Sequence, residues 1–247
     1  MKSGFISIIG RPNVGKSTLL NGILGEKIAI ATSKPQTTRN TIRGIYTTGD
    51  CQMVFIDTPG IHKPKTKLGN FMTDSALNTF KEVDLVLFLV DDSLSQGPGD
   101  KYIVEMLKNI NTPKFLVINK MDKINPEDYE KIYNEYEQTG IFDEIFPVSA
   151  LEQKNIDILL ESIEKFMPEG PQYFPSDMIT DHPERFIVSE ILREKVLMFL
   201  EDEVPHGVAI EIESFQEEER VTRISAVVYC EKKSHKGIII GQGGRKL

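Results

Sequence analysis

The chain has 247 residues, 40% of them apolar, and 29 basic against 37 acidic side chains leave a formal net charge of -8. That is enough apolar material for one large domain or two modest ones, and the acidity argues against a protein that coats nucleic acid non-specifically. The longest strongly apolar run, Leu85 to Val90, falls far short of the roughly 20 residues that cross a bilayer. The opening "MKSGFISIIGRPN" lacks the apolar stretch and cleavage pattern of a signal peptide, so a cytoplasmic protein is expected. Its 2 cysteines, Cys51 and Cys230, read as buried or idle thiols.

In chain order, apolar runs of strand length alternate with stretches of helical period. "FISIIG" precedes "KSTLLNGILG", "MVFIDT" precedes "LGNFMTDSALNTF", and "DLVLFLVD" precedes "DKYIVEMLKNI". "KFLVIN" then precedes "PEDYEKIYNEYEQ", and "EIFPVSA" precedes "IDILLESIEKF". Near-continuous apolar strands followed by amphipathic helices predict an α/β domain over residues 1–166, its mainly parallel sheet covered on both faces. "TIRGIYTTGD" runs into "CQMVFIDT" through Gly49-Asp50, the pattern of a hairpin, which predicts one antiparallel edge strand. Residues 167–185 hold four prolines and no apolar period and read as a linker. Beyond it, residues 186–247 predict a helix in "FIVSEILREKVLMFLEDE" and two half-exposed antiparallel strands in "GVAIEIESF" and "VTRISAVVYCE". In that helix Ile187, Ile191, Leu192, Val196 and Leu200 form the expected packing stripe.

Chemistry is concentrated at the ends of the first domain's strands. "GRPNVGKS" matches G-x-x-x-x-G-K-[ST] between the first strand and first helix. Gly10, Arg11, Pro12, Asn13, Val14, Gly15, Lys16, Ser17 and Thr18 therefore form a phosphate loop. Its amides curl around phosphate oxygens at a helix N-terminus; Lys16 reaches the β- and γ-phosphates, and the Ser17 hydroxyl binds magnesium. "DTPG" follows the third strand: Asp57, Thr58, Pro59 and Gly60, with Ile61 after them. Asp57 sits where α/β sheets bind ligands and can hold magnesium through water, and the Gly60 amide can sense a γ-phosphate. "NKMD", Asn119, Lys120, Met121 and Asp122, follows the strand "KFLVIN". A carboxylate at Asp122 can accept from the ring N–H and amino group of guanine, whereas adenine offers an acceptor there. A mispaired buried polar group costs about 1–3 kcal/mol, enough to choose the base. Ser149, Ala150 and Leu151 come after the next strand and approach the base from its other side.

With these residues in view, the chain resembles the translation-factor-related GTPases, and "GRPNVGKST", "QTTRNTIRGI" and "DTPGIHKPKTKLG" are similar to the Era family over the whole length. The resemblance implies a P-loop NTPase G domain, GTP and GDP as ligands, and Mg2+ held by Ser17, Asp57 and Thr38, or Thr37 beside it. It implies that Lys16, Thr38, Gly60 and Asn13 serve the reaction, Asn13 by helping hold K+ near the phosphates. Small signalling GTPases place a water-orienting glutamine just after D-x-x-G, where this chain has Ile61, so intrinsic hydrolysis is expected to be slow. Lys63, Lys65 and Lys67 read as a solvated face, and His62, His182, His206 and His235 have no metal-ligand spacing.

"SHKGIIIGQGGRKL" fits the G-x-x-G turn of a KH module, in which a glycine loop between short helices admits a single-stranded backbone. From Glu231 onward the one acid is Glu231 itself, against Lys232, Lys233, Lys236, Arg245 and Lys246. Such a local basic patch on an acidic protein fits selective phosphate contact. Those five residues with Gly241, Gln242, Gly243 and Gly244 form the expected RNA surface. A KH module of the Era type continues with a further helix, strand and helix, so the chain is expected to end inside an incomplete α+β type II KH domain. The resemblance further implies binding of 16S rRNA near its 3' end, assistance to 30S ribosomal subunit assembly, a monomer, and peripheral contact with the cytoplasmic membrane. Two readings stay open beside this one: an RNA-binding module that holds GTP with slow or no hydrolysis, and a nucleotide kinase sharing the phosphate loop. TrmE-like and two-domain Der-like GTPases share the front motifs but not the basic glycine loop.

Overall fold

The computed structural model describes residues 1–32, 34, 37, 41–60, 82–201 and 204–246. It resolves into two compact units, one of residues 1–28 and 38–181, the other of residues 29–37 and 182–247.

The first unit is built on a six-stranded sheet in the order β2-β3-β1-β4-β5-β6. Its strands are β1 (Lys2–Gly10), β2 (Ile42–Thr48), β3 (Cys51–Asp57), β4 (Leu85–Val90), β5 (Lys114–Ile118) and β6 (Glu144–Pro147). All neighbours are parallel except β2, which pairs antiparallel with β3 from Ile42 opposite Asp57 to Thr48 opposite Cys51. The expected hairpin edge is therefore present. Every residue of β4 is buried, as a central parallel strand sealed on both faces requires. The helices are α1 (Lys16–Leu24), α2 (Pro98–Leu107), α3 (Pro126–Glu137) and α4 (Ile156–Phe166). On one face Phe88 and Ile118 of the sheet pack with Ile103 and Leu107 of α2 and with Ile132 and Tyr136 of α3. Asn125 opens α3 by accepting the Asp128 amide at 2.8 Å, with Pro126 following it, the usual start signal of a helix. The helix expected in "LGNFMTDSALNTF" lies outside the described residues.

Much of the proline-rich stretch is bonded to this unit. The buried Gln52 amide donates to the Phe174 carbonyl at 2.8 Å and accepts the Tyr173 and Phe174 amides at 2.8 and 2.9 Å. The Ile45 amide donates to the Ile179 carbonyl at 2.8 Å. Residues without regular secondary structure thus satisfy their backbone groups on the sheet's edge.

The second unit contains α5 (Glu184–Phe199), β7 (Val208–Glu217), β8 (Thr222–Cys230) and α6 (Lys233–Ile240). The two strands pair antiparallel, with a register shift between Ile212 and Ser214. A small core gathers Leu200, Val204, Val208 and Ile239. On α5 the structure departs from the expected stripe. Ile187, Ile191, Leu192 and Val196 are only half-buried, while Glu190, Arg193, Glu194 and Leu197 are the buried residues. The reason lies in residues 29–37. Arg193 Nη2 donates to the Thr37 carbonyl at 2.7 Å and to Glu190 Oε2 at 2.6 Å, and Glu194 Oε1 accepts the Ala31 amide at 3.1 Å. The charged face of α5 is buried because it has backbone and ionic partners there.

Candidate functional site: a guanine-nucleotide pocket and a basic glycine turn

The carboxyl ends of β1, β3, β4 and β5, and the segment just after β6, converge on one edge of the sheet, where parallel sheets bind ligands. After β1, Gly15 caps α1 at φ +102°, and a Cβ there would stand 2.2 Å from Asn119 Nδ2. Only glycine allows this approach. Asn119 uses it to tie two motifs together: Nδ2 donates to the Val14 carbonyl at 2.8 Å, and Oδ1 accepts the Ala150 amide at 2.9 Å. The phosphate loop, the base loop and the segment after β6 thus share one side chain.

Lys16 Nζ is buried and donates to the carbonyls of Arg11 at 3.0 Å and Gly10 at 3.3 Å. Burial pulls its pKa down, against the attraction of Asp57. Ser17 Oγ donates to Asp57 Oδ2 at 2.7 Å, while Asp57 Oδ1 is buried with no hydrogen-bond partner among the described residues. Burial pushes the Asp57 carboxyl up to about 6, in spite of the Lys16 charge and the Ser17 hydroxyl. A hydroxyl beside an orphaned, fully buried carboxylate oxygen is the donor set that a hard divalent cation takes, so these residues fit magnesium. Thr58 plays a different part from its neighbours: its hydroxyl donates to the Ile8 carbonyl at 2.9 Å, fixing the end of β3 against β1. Gly60 lies against the loop, where a Cβ would stand 2.8 Å from the Pro12 nitrogen. Asn13 adopts φ +67° and is exposed. Thr38, Ile61, Lys63, Lys65 and Lys67 lie outside the described residues.

On the base side, Ser149 Oγ donates to Asp122 Oδ1 at 2.6 Å and accepts the Glu152 amide at 3.2 Å. The Met121 amide donates to the Val148 carbonyl at 3.2 Å. Asp122 is exposed and Leu151 is 73% exposed, so the carboxylate that would meet a purine edge faces outward. Lys120 is held at φ +64°, a conformation uncommon for a side-chain-bearing residue.

Sequence reasoning missed Asp91 and Asp100. The Arg11 side chain extends to both: Nη2 meets Asp91 Oδ1 at 2.9 Å and Nε meets Asp100 Oδ1 at 2.7 Å. The signal available was position alone, because Asp91 is the first residue beyond β4.

In the second unit, α6 and a turn at Gln242–Gly244 carry the glycine loop. Gly241, Gly243 and Gly244 have φ of +72°, +65° and +76°, and nothing lies within 4 Å of a Cβ built at Gly243 or Gly244. Lys232, Lys233, Lys236, Gln242, Arg245 and Lys246 are all exposed. The loop therefore presents open backbone flanked by cations.

Two family profiles match the chain: one described as a 50S ribosome-binding GTPase over residues 5–120, the other as a KH domain over residues 203–247. A protein named GTPase Era from Alkaliphilus metalliredigens is 60% identical over 248 aligned residues, covering 100% of this chain and 84% of its own. The chain belongs to the Era GTPase family. GTPase Era of Clostridioides difficile is 57% identical, again with 100% and 84% coverage. Among solved structures, an Era in complex with MgGDPNP and nucleotides 1506–1542 of 16S ribosomal RNA matches with a TM-score of 0.92 at 38% identity, covering 100% of this chain and 84% of that one. The fold is thus that of the Era proteins, a P-loop GTPase domain followed by a KH domain, and the chain is a GTPase of that family. Among the described residues no helix is long and apolar enough to cross a membrane.

Proposed function

We propose that this chain is a GTP-hydrolysing switch that binds 16S rRNA near its 3' end through the basic glycine loop and assists assembly of the small ribosomal subunit. The observation that carries the nucleotide half is Asn119, which joins the phosphate loop at Val14 to the base side at Ala150. The RNA half is supported by the open glycine turn with its exposed cations and by the rRNA held in the related Era.

In this reading the loop amides and Lys16 hold the triphosphate, and Asp122 accepts from the guanine edge with Ser149 steadying it. Ser17, Asp57 and Thr38 hold Mg2+, which neutralises charge gathering on the β- and γ-phosphates. Gly60 reports the γ-phosphate to the segment after it, and loss of that phosphate releases the segment. Ile61 cannot orient water, so the chain turns over slowly by itself. Asn13 contributes to a K+ site, which makes hydrolysis faster in potassium than in sodium. The working form is a monomer in the cytoplasm with peripheral contact at the membrane, as the family resemblance implies.

The test is the nucleotide preference of Asp122→Asn. Selectivity that moves from guanine to xanthine nucleotides supports the assignment, and retained guanine preference contradicts it.

A further inference from the structure

We propose that Asp91 and Asp100 are positioning residues of the nucleotide site. Together they lock the side chain of Arg11 and couple the entrance of the phosphate loop to Lys120 of the base loop. This rests on the guanine-nucleotide reading of the site and adds two residues to it.

Arg11 is the second residue of the phosphate loop, and its side chain leaves the loop toward the end of β4. There Nη2 donates to Asp91 Oδ1 at 2.9 Å and to Ser93 Oγ at 3.2 Å, while Nε donates to Asp100 Oδ1 at 2.7 Å. Asp91 divides its oxygens between two motifs, since its Oδ2 accepts from Lys120 Nζ at 3.4 Å. Asp92 Oδ1 stands 3.6 Å from the same ammonium. Asp100 is fully buried and uses its second oxygen to accept the Gly97 amide at 3.2 Å, at the start of α2. Space is tight there, because a Cβ on Gly99 would stand 2.9 Å from Arg11 Cδ. The guanidinium is thus held by two carboxylates that each accept a backbone amide of their own segment, Ser93 to Asp91 at 3.3 Å and Gly97 to Asp100 at 3.2 Å.

The consequence reaches the reacting end through the main chain. The Arg11 carbonyl accepts from Lys16 Nζ at 3.0 Å, and Pro12, the next residue, is the surface on which Gly60 rests. A loop free to slide at Arg11 would misplace both. At its far side the same loop is tied at Val14 by Asn119. Lys120, held at φ +64°, brings its ammonium to Asp91, so the carboxylate that holds Arg11 also meets the residue after Asn119. A charge-assisted pair shared by two ligand loops preorganises both before nucleotide arrives, so its loss is felt as weaker binding without a change in which base is chosen.

The experiment uses the full chain and GDP, GTP and XDP as probes. Dissociation constants are measured by titration for the wild type, Asp91→Asn, Arg11→Gln and the double variant. Circular dichroism at the same temperature confirms that each is folded. Asp91→Asn is expected to weaken GDP and GTP about tenfold alike, the effect of losing one charge-assisted hydrogen bond. The ratio of GDP to XDP affinity stays at its wild-type value, Asp91→Glu restores part of the loss, and the double variant loses less than the sum of the two single losses. Affinity within about twofold of wild type in folded Asp91→Asn, even with lowered thermal stability, overturns the proposal and leaves the network a structural brace. Additive losses in the double variant also overturn it, as does a changed GDP to XDP ratio. Should Asp91→Asn not fold, Arg11→Gln decides: unchanged GDP affinity refutes the coupling, and a loss of about tenfold with base preference intact supports it. A wild-type chain that holds no guanine nucleotide is a separate result, which removes the underlying reading and this proposal with it.

Discussion

Ser17 and Asp57 meet at 2.7 Å through one carboxylate oxygen, and the other oxygen of Asp57 is buried without a hydrogen-bond partner among the described residues. Burial raises this carboxyl to about 6, so near neutral pH it is ionised and ready for a cation, and below that it carries a proton the cation must displace. Magnesium-dependent binding of GDP should therefore fall by about tenfold per pH unit below about 6 and be flat above it. Magnesium titrations between about pH 5 and 8 check this, and Asp57→Asn should abolish the slope. The metal-free protein behaves in the opposite sense. Its native carboxyl holds a proton to higher pH than an unfolded one, near 4, so stability is lost as pH rises from about 4 to about 6. Equal magnesium affinity across that range would contradict the assignment.

Gly15→Ala tests the seam between loop and base. The new Cβ would stand 2.2 Å from Asn119 Nδ2 on a backbone held at φ +102°. A side chain in that region costs about 1–2 kcal/mol, and displacing Asn119 removes a hydrogen bond of about 1 kcal/mol. Together these predict a loss of GDP affinity of roughly 30- to 150-fold. Nucleotide titration measures it, and affinity within threefold of wild type would mean that the loop adjusts freely.

Arg193→Met bears on the second unit. The guanidinium holds Glu190 at 2.6 and 2.8 Å and the Thr37 carbonyl at 2.7 Å, all buried. Methionine fills the space but strands the Glu190 charge and the carbonyl, and breaking a buried pair in this way costs about 3–5 kcal/mol. Denaturant unfolding monitored in that unit should show the loss. A change under about 1 kcal/mol would show that water or neighbouring groups replace the cation.

For the glycine turn, five exposed cations (Lys232, Lys233, Lys236, Arg245 and Lys246) set the salt dependence of RNA binding. If each neutralises one phosphate of a single strand, the log-log slope of affinity against sodium chloride is about -3.5. A filter or fluorescence titration with a single-stranded RNA supplies the slope, and a flat response removes these residues from the interface.

The alternation of strands and helices, the antiparallel edge and the gathering of the glycine, aspartate and asparagine motifs at the strand ends were legible because each depends on local pattern: a run of apolar residues, then a glycine, aspartate or asparagine at a fixed offset. The charged face of α5 was not. Its apolar residues have helical spacing, and only partners some 160 positions earlier, Thr37 and Ala31, explain why Arg193 and Glu194 are buried in their stead. Asp91 and Asp100 were missed for a related cause. Both sit at ordinary positions, one after a strand and one in the first turn of a helix, where an acid commonly serves as a cap, and nothing local says that both close on Arg11.

Gln52 has a consequence for dissecting the protein. Its amide is fully buried and holds Tyr173 and Phe174 by three hydrogen bonds. A fragment stopped at Phe166, where regular helix ends, would leave that amide only its bond to the Thr47 hydroxyl and expose a sticky, half-finished sheet margin. Carrying the fragment on to Asp181 keeps the margin closed, so the soluble nucleotide-binding half should be the longer piece, with its proline-rich tail resistant to proteases.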